Sequence, residues 1–174
     1  TEISPDVRTL PAAATVLERA TIETRPYRET AEILRAAPGM DFVYYGQGGA
    51  PSGSAFRGYT DRNFGQDLAG FVDGVPLNDS GNYAIFPNQL LDPELVEQIN
   101  VNLGATDVDS PTASAAGGTV NFRSLIPTNQ VSALWDVSYG SHNFQRIFGM
   151  FQTGEFTPWG TKAWFAGSHN TYNH

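Results

Sequence analysis

Cysteine is absent from the 174-residue chain, which excludes a disulfide framework, a thiolate metal site and a cysteine nucleophile. Charge is also scarce, because 10 basic and 18 acidic residues make up only 16% of the chain, against about 25% in an ordinary soluble domain. Lysine occurs only at position 162. With a net charge of −8 and no basic cluster, nucleic acid is not an expected partner, since phosphate contacts need clustered Lys and Arg.

Long apolar runs are missing as well. No stretch approaches 18 apolar residues, so the sequence predicts no transmembrane helix. No charged n-region with an apolar h-region is present at the start. We therefore expect either that a signal peptide has been removed or that Thr1 lies within a longer protein.

Charged and aromatic residues are distributed unevenly along the chain. Residues 1–124 hold 16 of the 18 acidic residues and eight arginines, and therefore the whole net charge. Residues 125–174 sum to zero charge and hold 10 of the 21 aromatic residues. An acidic part followed by a charge-poor, aromatic-rich part predicts two segments that face different solvents.

The first part has the pattern of a compact α+β domain with short strands and long loops. Its clearest helix signal starts at Pro26 and ends at Pro38-Gly39, because Ala31, Ile33 and Leu34 form an apolar stripe and proline suits a first helical turn. Alternation and turn residues predict strands at 12–17, 40–44, 54–59, 97–103 and 119–124, with helical turns at 18–22 and 93–96.

The second part alternates with period two. One face of its first run carries Val131, Ala133, Trp135, Val137 and Tyr139. Two further runs, at 143–153 and 161–172, follow after turn residues. Alternating segments of about ten residues, edged with Trp and Tyr, are typical of a transmembrane β-barrel. An ordinary antiparallel meander with one buried face is the alternative.

Seven short phrases follow one another in a recognisable order. Among them, AEILRAAPGM ends a helix in Pro-Gly, AFRGY carries an Arg-Gly pair, GFVDGVPLN holds an Asp-Gly hairpin and ASAAGGTVNFRS holds a Gly-Gly strand. The seven phrases lie at 10–23, 31–40, 55–59, 70–78, 92–104, 113–124 and 135–146. In this order and spacing they resemble the plug and first barrel strands of TonB-dependent outer-membrane receptors. No TonB box is visible before Leu10, so it lies upstream of Thr1 or is too degenerate to see.

The resemblance implies an α+β plug domain of short strands and helices at residues 1–126. It implies that residues 127–174 form about three antiparallel strands that begin a transmembrane β-barrel of about 22 strands when complete. The implied location is the bacterial outer membrane, with the plug inside the barrel lumen and facing the periplasm.

The implied function is TonB-dependent active transport of a scarce ligand, with the plug gating the barrel lumen and no enzymatic activity. The ligand class stays open among an iron-siderophore, a sugar and another small organic molecule. The implied partners are TonB with its inner-membrane energising complex, outer-membrane lipid and the small-molecule ligand. No cofactor is expected, although the ligand can itself carry iron or cobalt.

The resemblance also implies roles for particular residues. Arg57 is expected to lock the plug to carboxylates of the barrel wall, because a buried Arg needs an acidic partner. Asp73, Gly74, Gly117 and Gly118 are expected at structural turns. Plug loops that point outward imply ligand contacts at Tyr44, Tyr45, Gln47, Arg62, Asn63, Phe64, Asn82, Tyr83 and Phe86. The aromatic residues expected at the membrane interfaces are Trp135, Tyr139, Trp159 and Trp164.

Two other motifs suggest chemistry but fit loops better. The glycine-rich stretch 46–53 lacks both the spacing and the Lys-Ser/Thr of a phosphate loop. Asp107 and Asp109 lack the further oxygen ligands of a calcium loop, so no metal site is predicted.

Two alternative functions stay open at the level of sequence. The first is a carbohydrate-active enzyme fragment, in which an acid–base pair lies among Asp73, Asp79, Asp107 and Asp109. For Asp73, however, a hairpin turn is the better interpretation, since Asp and Gly tolerate the positive φ of a two-residue turn. The second alternative is a soluble, β-rich carbohydrate-binding module.

Overall fold

The computed structural model describes residues 13–25, 27, 30–38, 40–43, 53–56, 68–78, 80, 91–103, 118–140 and 143–171. The chain divides into two compact units, Thr1–Leu125 and Ile126–His174. The first unit contains a five-stranded sheet, a two-stranded sheet and short helices, whereas the second is a three-stranded antiparallel sheet. The predicted α+β class and the antiparallel strands that follow it are confirmed.

The first unit is built from short elements. Its helical segments within the described residues are α1 (Arg19–Ile22) and the 3₁₀ helices Thr30–Ala36 and Pro93–Leu95. Its strands are β1 (Ala13–Glu18), β2 (Met40–Val43), β3 (Gly53–Phe56), β4 (Leu68–Val72), β5 (Val75–Pro76), β6 (Val96–Leu103) and β7 (Gly118–Ser124).

The five-stranded sheet is mixed, with the strand order β1-β6-β7-β4-β5. β4 runs parallel to β7, and the other neighbours in this sheet are antiparallel. β6 carries an irregularity between Val96 and Gln98 where it pairs with β7. β2 and β3 pair separately as an antiparallel ribbon. This order leaves β1 at one edge of the sheet, paired with β6.

Alternation in the central strands builds the core of the first unit. Ile99 and Val101 of β6 are buried, whereas Gln98 and Asn100 are partly exposed on the other face. Burying a side chain of this size contributes about 1.5–3 kcal/mol. The remaining buried hydrophobic residues of this cluster are Leu17, Ile22, Ile33, Leu34, Ala37, Val96, Val120 and Phe122.

The segment with the clearest helix signal forms a helix. Within the described residues it is a 3₁₀ helix at Thr30–Ala36, which ends before Pro38. Thr30 is buried, and its hydroxyl donates a hydrogen bond to the backbone carbonyl of Leu91. The apolar stripe still serves the core, because Ile33 and Leu34 are fully buried. The sequence thus predicts the helix and its buried stripe, whereas the 3₁₀ type and the contact with Leu91 are seen only in the structure.

The second unit consists of β8 (Val131–Tyr139), β9 (Gln145–Thr153) and β10 (Trp164–Thr171), in the order β8-β9-β10. Each neighbouring pair is antiparallel and in continuous register. β8 has the bounds that alternation predicts, whereas β9 and β10 begin two and three residues later than predicted.

The connection between β9 and β10 is tied to the segment that precedes β8. Gly154 adopts φ +64°, and a Cβ at that position would lie 2.8 Å from the backbone nitrogen of Val131. The ammonium group of Lys162 donates to Oδ1 of Asn129 at 2.6 Å, and the Glu155 N–H donates to the Asn129 carbonyl at 3.1 Å. These contacts fix the turn by backbone as well as side-chain hydrogen bonds.

Candidate functional site

The ligand-contact residues that the resemblance implies lie outside the described part of the chain. These residues are Tyr44, Tyr45, Gln47, Arg62, Asn63, Phe64, Asn82, Tyr83 and Phe86. The expected locking residue Arg57 and the turn residue Gly117 also lie outside it. Their roles stay predictions.

Asp73 and Gly74 form the turn between β4 and β5. Both have positive φ, +49° and +82°. The Asp73 N–H donates to the Phe122 carbonyl at 2.9 Å, and the Asp73 carboxylate accepts the Ser124 N–H at 2.9 Å. This carboxylate is thus engaged in joining the hairpin to the end of β7, which is a structural use of the residue.

Gly118 is the first residue of β7, between β4 and β6. It is buried, has φ +138° and pairs with Leu68 on one side and Leu103 on the other. A residue with a side chain adopts this backbone conformation rarely, so glycine is required where β7 enters between two strands.

Arg19 connects the end of β1 to the start of β6, a link that sequence analysis missed. Its Nη1 donates to the carbonyls of Glu94 at 2.6 Å and Val96 at 2.9 Å. Its Nε donates to Oε1 of Glu23 at 2.6 Å, one helical turn away. The Arg-Glu spacing of four residues was the available signal, but the backbone acceptors lie more than seventy residues away and leave no local trace.

One face of the second unit is apolar and exposed. Register places Val131, Ala133, Trp135, Val137 and Tyr139 of β8 on the same face as Ile147 and Phe151 of β9 and Phe165 of β10. All but Ala133 are large apolar side chains that the structure leaves exposed, with Trp135 at 76%. An exposed apolar face of this extent marks an interaction surface.

The four aromatic residues expected at membrane interfaces do not share one face of the sheet or one position along its strands. Trp135 lies midway along β8, Tyr139 ends the strand and is 78% exposed, and Trp159 lies in the β9–β10 connection and is 90% exposed. Trp164 pairs with Gln152, on the face opposite Trp135, and is half-buried. Register thus separates Trp164 from the face that carries Trp135, and the interface roles of all four residues stay predictions.

The opposite face of the second unit is mixed and more polar. Arg146 is only 3% exposed, and its guanidinium carbon lies 5.4 Å from the centre of the Phe148 ring. Gln152 is also buried and accepts the Thr128 N–H at 2.8 Å. Ser138 donates to the Asp136 carboxylate at 2.7 Å. The sheet thus has one apolar face and one face that carries its charged groups.

Within the described ranges, no helix is long and apolar enough to cross a bilayer. Those ranges also contain no group of three His, Cys, Asp or Glu residues placed to hold a metal ion. Oδ1 of Asn121, opposite Asn100 on the partly exposed face of the mixed sheet, is buried without a hydrogen-bond partner.

The first unit is thus an α+β domain with a mixed sheet, and the second is an antiparallel sheet with one exposed apolar face, as in a plug followed by barrel strands. The family model described as TonB-dependent Receptor Plug Domain matches residues 6–119. The chain therefore belongs to the family of TonB-dependent receptors, as the order of the seven phrases predicts.

Solved structures of outer-membrane receptors share this fold. The alcaligin receptor FauA from Bordetella pertussis has a TM-score of 0.70 and 20% identity, over 95% of this chain and 27% of that one. FpvA of P. aeruginosa, bound to a heterologous pyoverdine, has a TM-score of 0.74 and 20% identity, over 95% of this chain and 21% of that one. The copper transporter OprC has a TM-score of 0.64 and 20% identity, over 92% of this chain and 24% of that one.

The chain spans only about a quarter of the length of these structures. At this level of identity the likeness shows the fold. No curated protein matches the sequence significantly.

Proposed function

We propose that this chain is the plug and first barrel segment of a transporter that takes up a scarce ligand across the bacterial outer membrane, driven by TonB. The observation that carries the proposal is the succession of a plug-family domain at residues 6–119 and an antiparallel sheet with an exposed apolar face. In the whole protein the plug gates the barrel lumen, and the apolar face contacts outer-membrane lipid.

The names of related structures and the residues of the plug loops support three ligand classes. Among the related structures, FauA is an alcaligin receptor, FpvA holds a pyoverdine and OprC is a copper transporter. Tyrosine, phenylalanine and amide side chains dominate the plug loops expected to contact ligand. Aromatic rings and amides suit an iron-siderophore, a sugar or another small organic molecule, since they combine apolar contact with hydrogen bonding.

β1 is the element best placed to respond to a pull from the N-terminal side. It forms an edge of the mixed sheet and pairs only with β6 in that sheet. An edge strand separates with the loss of one set of cross-strand hydrogen bonds, so it opens at lower free energy than a central strand. We propose that TonB, with its inner-membrane energising complex, draws on the segment before β1 and thereby opens a path for the ligand.

Arg57 is proposed as a lock between the plug and the barrel wall. An arginine in a water-excluded position requires a carboxylate partner, and two parallel hydrogen bonds to that carboxylate set its orientation. Release of the lock then accompanies opening of the plug. Replacing Arg57 is expected to raise passive leakage of small solutes through the complete receptor.

Uptake by the complete protein tests the proposal. The full reading frame is expressed in an outer-membrane-bearing host that lacks its own receptors, with and without TonB. Radiolabelled ferric siderophores, oligosaccharides and cobalamin are supplied separately, and cell-associated label is measured. Accumulation of one ligand class only in the TonB-positive host supports the proposal, whereas accumulation that persists without TonB contradicts it.

The transport cycle requires no covalent chemistry, and we propose that the chain has no catalytic activity. The Asp73 carboxylate, a candidate acid–base group, accepts the Ser124 N–H and so has a structural use in the hairpin. The test is an assay of the complete protein for hydrolysis of oligosaccharides. Turnover that Asp73→Asn abolishes would support the enzyme alternative.

A further inference from the structure

β1 runs in the same direction as β7, because both strands are antiparallel to β6. The first residue of β1, Ala13, lies at the end of the sheet where Leu103 pairs with Gly118. β7 ends with Ser124 at the opposite end of the sheet, and the first unit ends one residue later at Leu125. A pull that enters at Ala13 and is resisted at Leu125 therefore acts along the strands.

The ladder between β1 and β6 resists such a pull as a whole. The hydrogen bonds of an antiparallel ladder are perpendicular to its strands. A force along β1 therefore acts on all six residue pairs together, whereas a force across the strands would break them one after another. β1 is also already extended in the direction of the pull, over about 20 Å at 3.3 Å per residue. It can leave the sheet only by sliding along β6.

Arg19 opposes this sliding, because it directly follows β1 and is bonded to the start of β6. Its Nη1 donates to the Glu94 carbonyl at 2.6 Å and to the Val96 carbonyl at 2.9 Å. A slide by one residue moves Arg19 by about 3.3 Å and turns the buried Leu17 to the other face of the sheet. Sliding thus breaks the two bonds and removes Leu17 from the core in the same step.

The backbone that accepts these bonds is fixed where the first unit ends. Between the two acceptors, the Leu95 carbonyl accepts the Leu125 N–H at 2.8 Å. The side chains of Leu95 and Val96 are both buried. Segment 94–96 is therefore held by the core and by the last residue of the first unit, so it stays in place when β1 is pulled.

We propose that Arg19 and the carbonyls of Glu94 and Val96 form a latch that keeps β1 in the sheet until a pull from the N-terminal side exceeds a threshold. The proposal rests on the proposed function, since it assigns regulation to the opening that TonB drives. The two bonds of the latch add to the same barrier as the six-pair ladder, so β1 leaves in one event. A weak pull leaves the plug closed, which confines opening to sustained engagement by TonB.

Force applied to single molecules of the complete protein in a supported bilayer tests the latch. A DNA handle is coupled to a reactive residue introduced at Thr1, and the lifetime before the first extension step is measured at constant force. Arg19→Gln is expected to shorten this lifetime about tenfold or more, because it removes two hydrogen bonds from a charged donor. Glu23→Gln is the matched control, since it breaks only the exposed ion pair with Arg19, and its expected change is about twofold or less.

A second attachment point distinguishes the latch from a general loss of stability. Val75 lies in β5, at the edge of the sheet opposite β1, and is 65% exposed. With the handle at position 75, Arg19→Gln is expected to leave the lifetime unchanged. Equal shortening from both attachment points shows a general destabilisation and overturns the latch, as does an unchanged lifetime in Arg19→Gln when the handle is at Thr1.

Circular dichroism verifies that each variant is folded. Arg19→Lys, which keeps the positive charge and has an intermediate expected lifetime, replaces Arg19→Gln if that variant misfolds. Because the force measurement contains neither TonB nor ligand, the two proposals fail separately. A shortened lifetime together with uptake that persists without TonB refutes the proposed function alone, whereas TonB-dependent uptake with an unchanged lifetime refutes the latch alone.

Discussion

Arg19 donates a hydrogen bond from its guanidinium to the backbone carbonyl of Val96 at 2.9 Å, and so joins the end of β1 to the first residue of β6. The same Nη1 reaches the Glu94 carbonyl at 2.6 Å. β1 is therefore held to β6 by one side chain in addition to its backbone ladder. If β1 separates from β6 beginning at its N-terminal end, Arg19 lies at the far end of the separating strand.

Replacing Arg19 with Gln is expected to free β1. The change removes two charge-assisted bonds to backbone carbonyls and costs about 1–3 kcal/mol of local stability. Hydrogen–deuterium exchange of the complete protein measures this loss of local stability as faster exchange at residues 13–18, with little change in β7. Glu23→Gln is the matched control, since it breaks only the exposed ion pair, worth about 0.5 kcal/mol or less. Equal acceleration in both variants contradicts the assigned role of Arg19.

Replacing Asp73 with Ala is expected to destabilise the β4–β5 hairpin by about 1–2 kcal/mol. The alanine loses the acceptor for the Ser124 N–H and is strained at positive φ. Asp73→Asn keeps an acceptor oxygen and tolerates the left-handed region, so its cost is expected to be within about 0.5 kcal/mol. Urea unfolding in detergent, followed by exchange at residues 68–76, compares the two. The prediction fails if Asp73→Asn lowers the stability of the hairpin as much as Asp73→Ala does.

Two glycines of the β9–β10 connection are expected to differ in their tolerance of alanine. At Gly154 the added Cβ collides with backbone atoms, 2.8 Å from the Val131 nitrogen, whereas at Gly160 the nearest atom is a Glu155 carboxylate oxygen at 3.9 Å. Both have positive φ, so Gly160→Ala costs about 1–2 kcal/mol of strain and Gly154→Ala costs more. Thermal unfolding of the complete protein in detergent ranks the variants, and the reverse order contradicts the prediction.

Trp135 and Trp159 are expected to report different depths in the membrane. Trp135 lies four residues from either end of β8, about 13 Å along the strand at 3.3 Å per residue. Trp159 lies in the connection beyond the strands. Phospholipids brominated deep in the acyl chain are expected to quench Trp135 more than Trp159, measured as difference spectra against the corresponding Trp→Phe variants. Equal quenching by shallow and deep probes contradicts this depth assignment.

Local patterns in the sequence predict the elements that depend on local interactions. β8 forms at the predicted residues because strict alternation ends at Gly140, where turn residues begin. The Asp73-Gly74 dipeptide has the backbone conformation that its two residues favour. In both cases the residues that decide the conformation are neighbours in sequence.

Features that depend on distant partners could not be predicted in this way. Parallel pairing of β4 with β7 leaves no mark in either strand. The hydroxyl of Thr30, the first residue of the 3₁₀ helix, bonds to the Leu91 carbonyl, and the side chain of Arg19 bonds to the carbonyls of Glu94 and Val96. Likewise, the face of Trp164 is set by its pairing with Gln152, because a register shift by one residue reverses the faces of a strand.

The position of β1 in the sheet has a consequence for biosynthesis. β1 is the first strand of the sheet to leave the ribosome, but its partner β6 follows only after β2 to β5. Pairing over such a sequence distance is slow, because loop-closure entropy is lost before any contact forms. We expect the nascent N-terminal strand to travel unpaired and to add to an edge already formed by β6 and β7. The segment that joins the sheet last is thus the same one that the proposed pull from the N-terminal side would remove first.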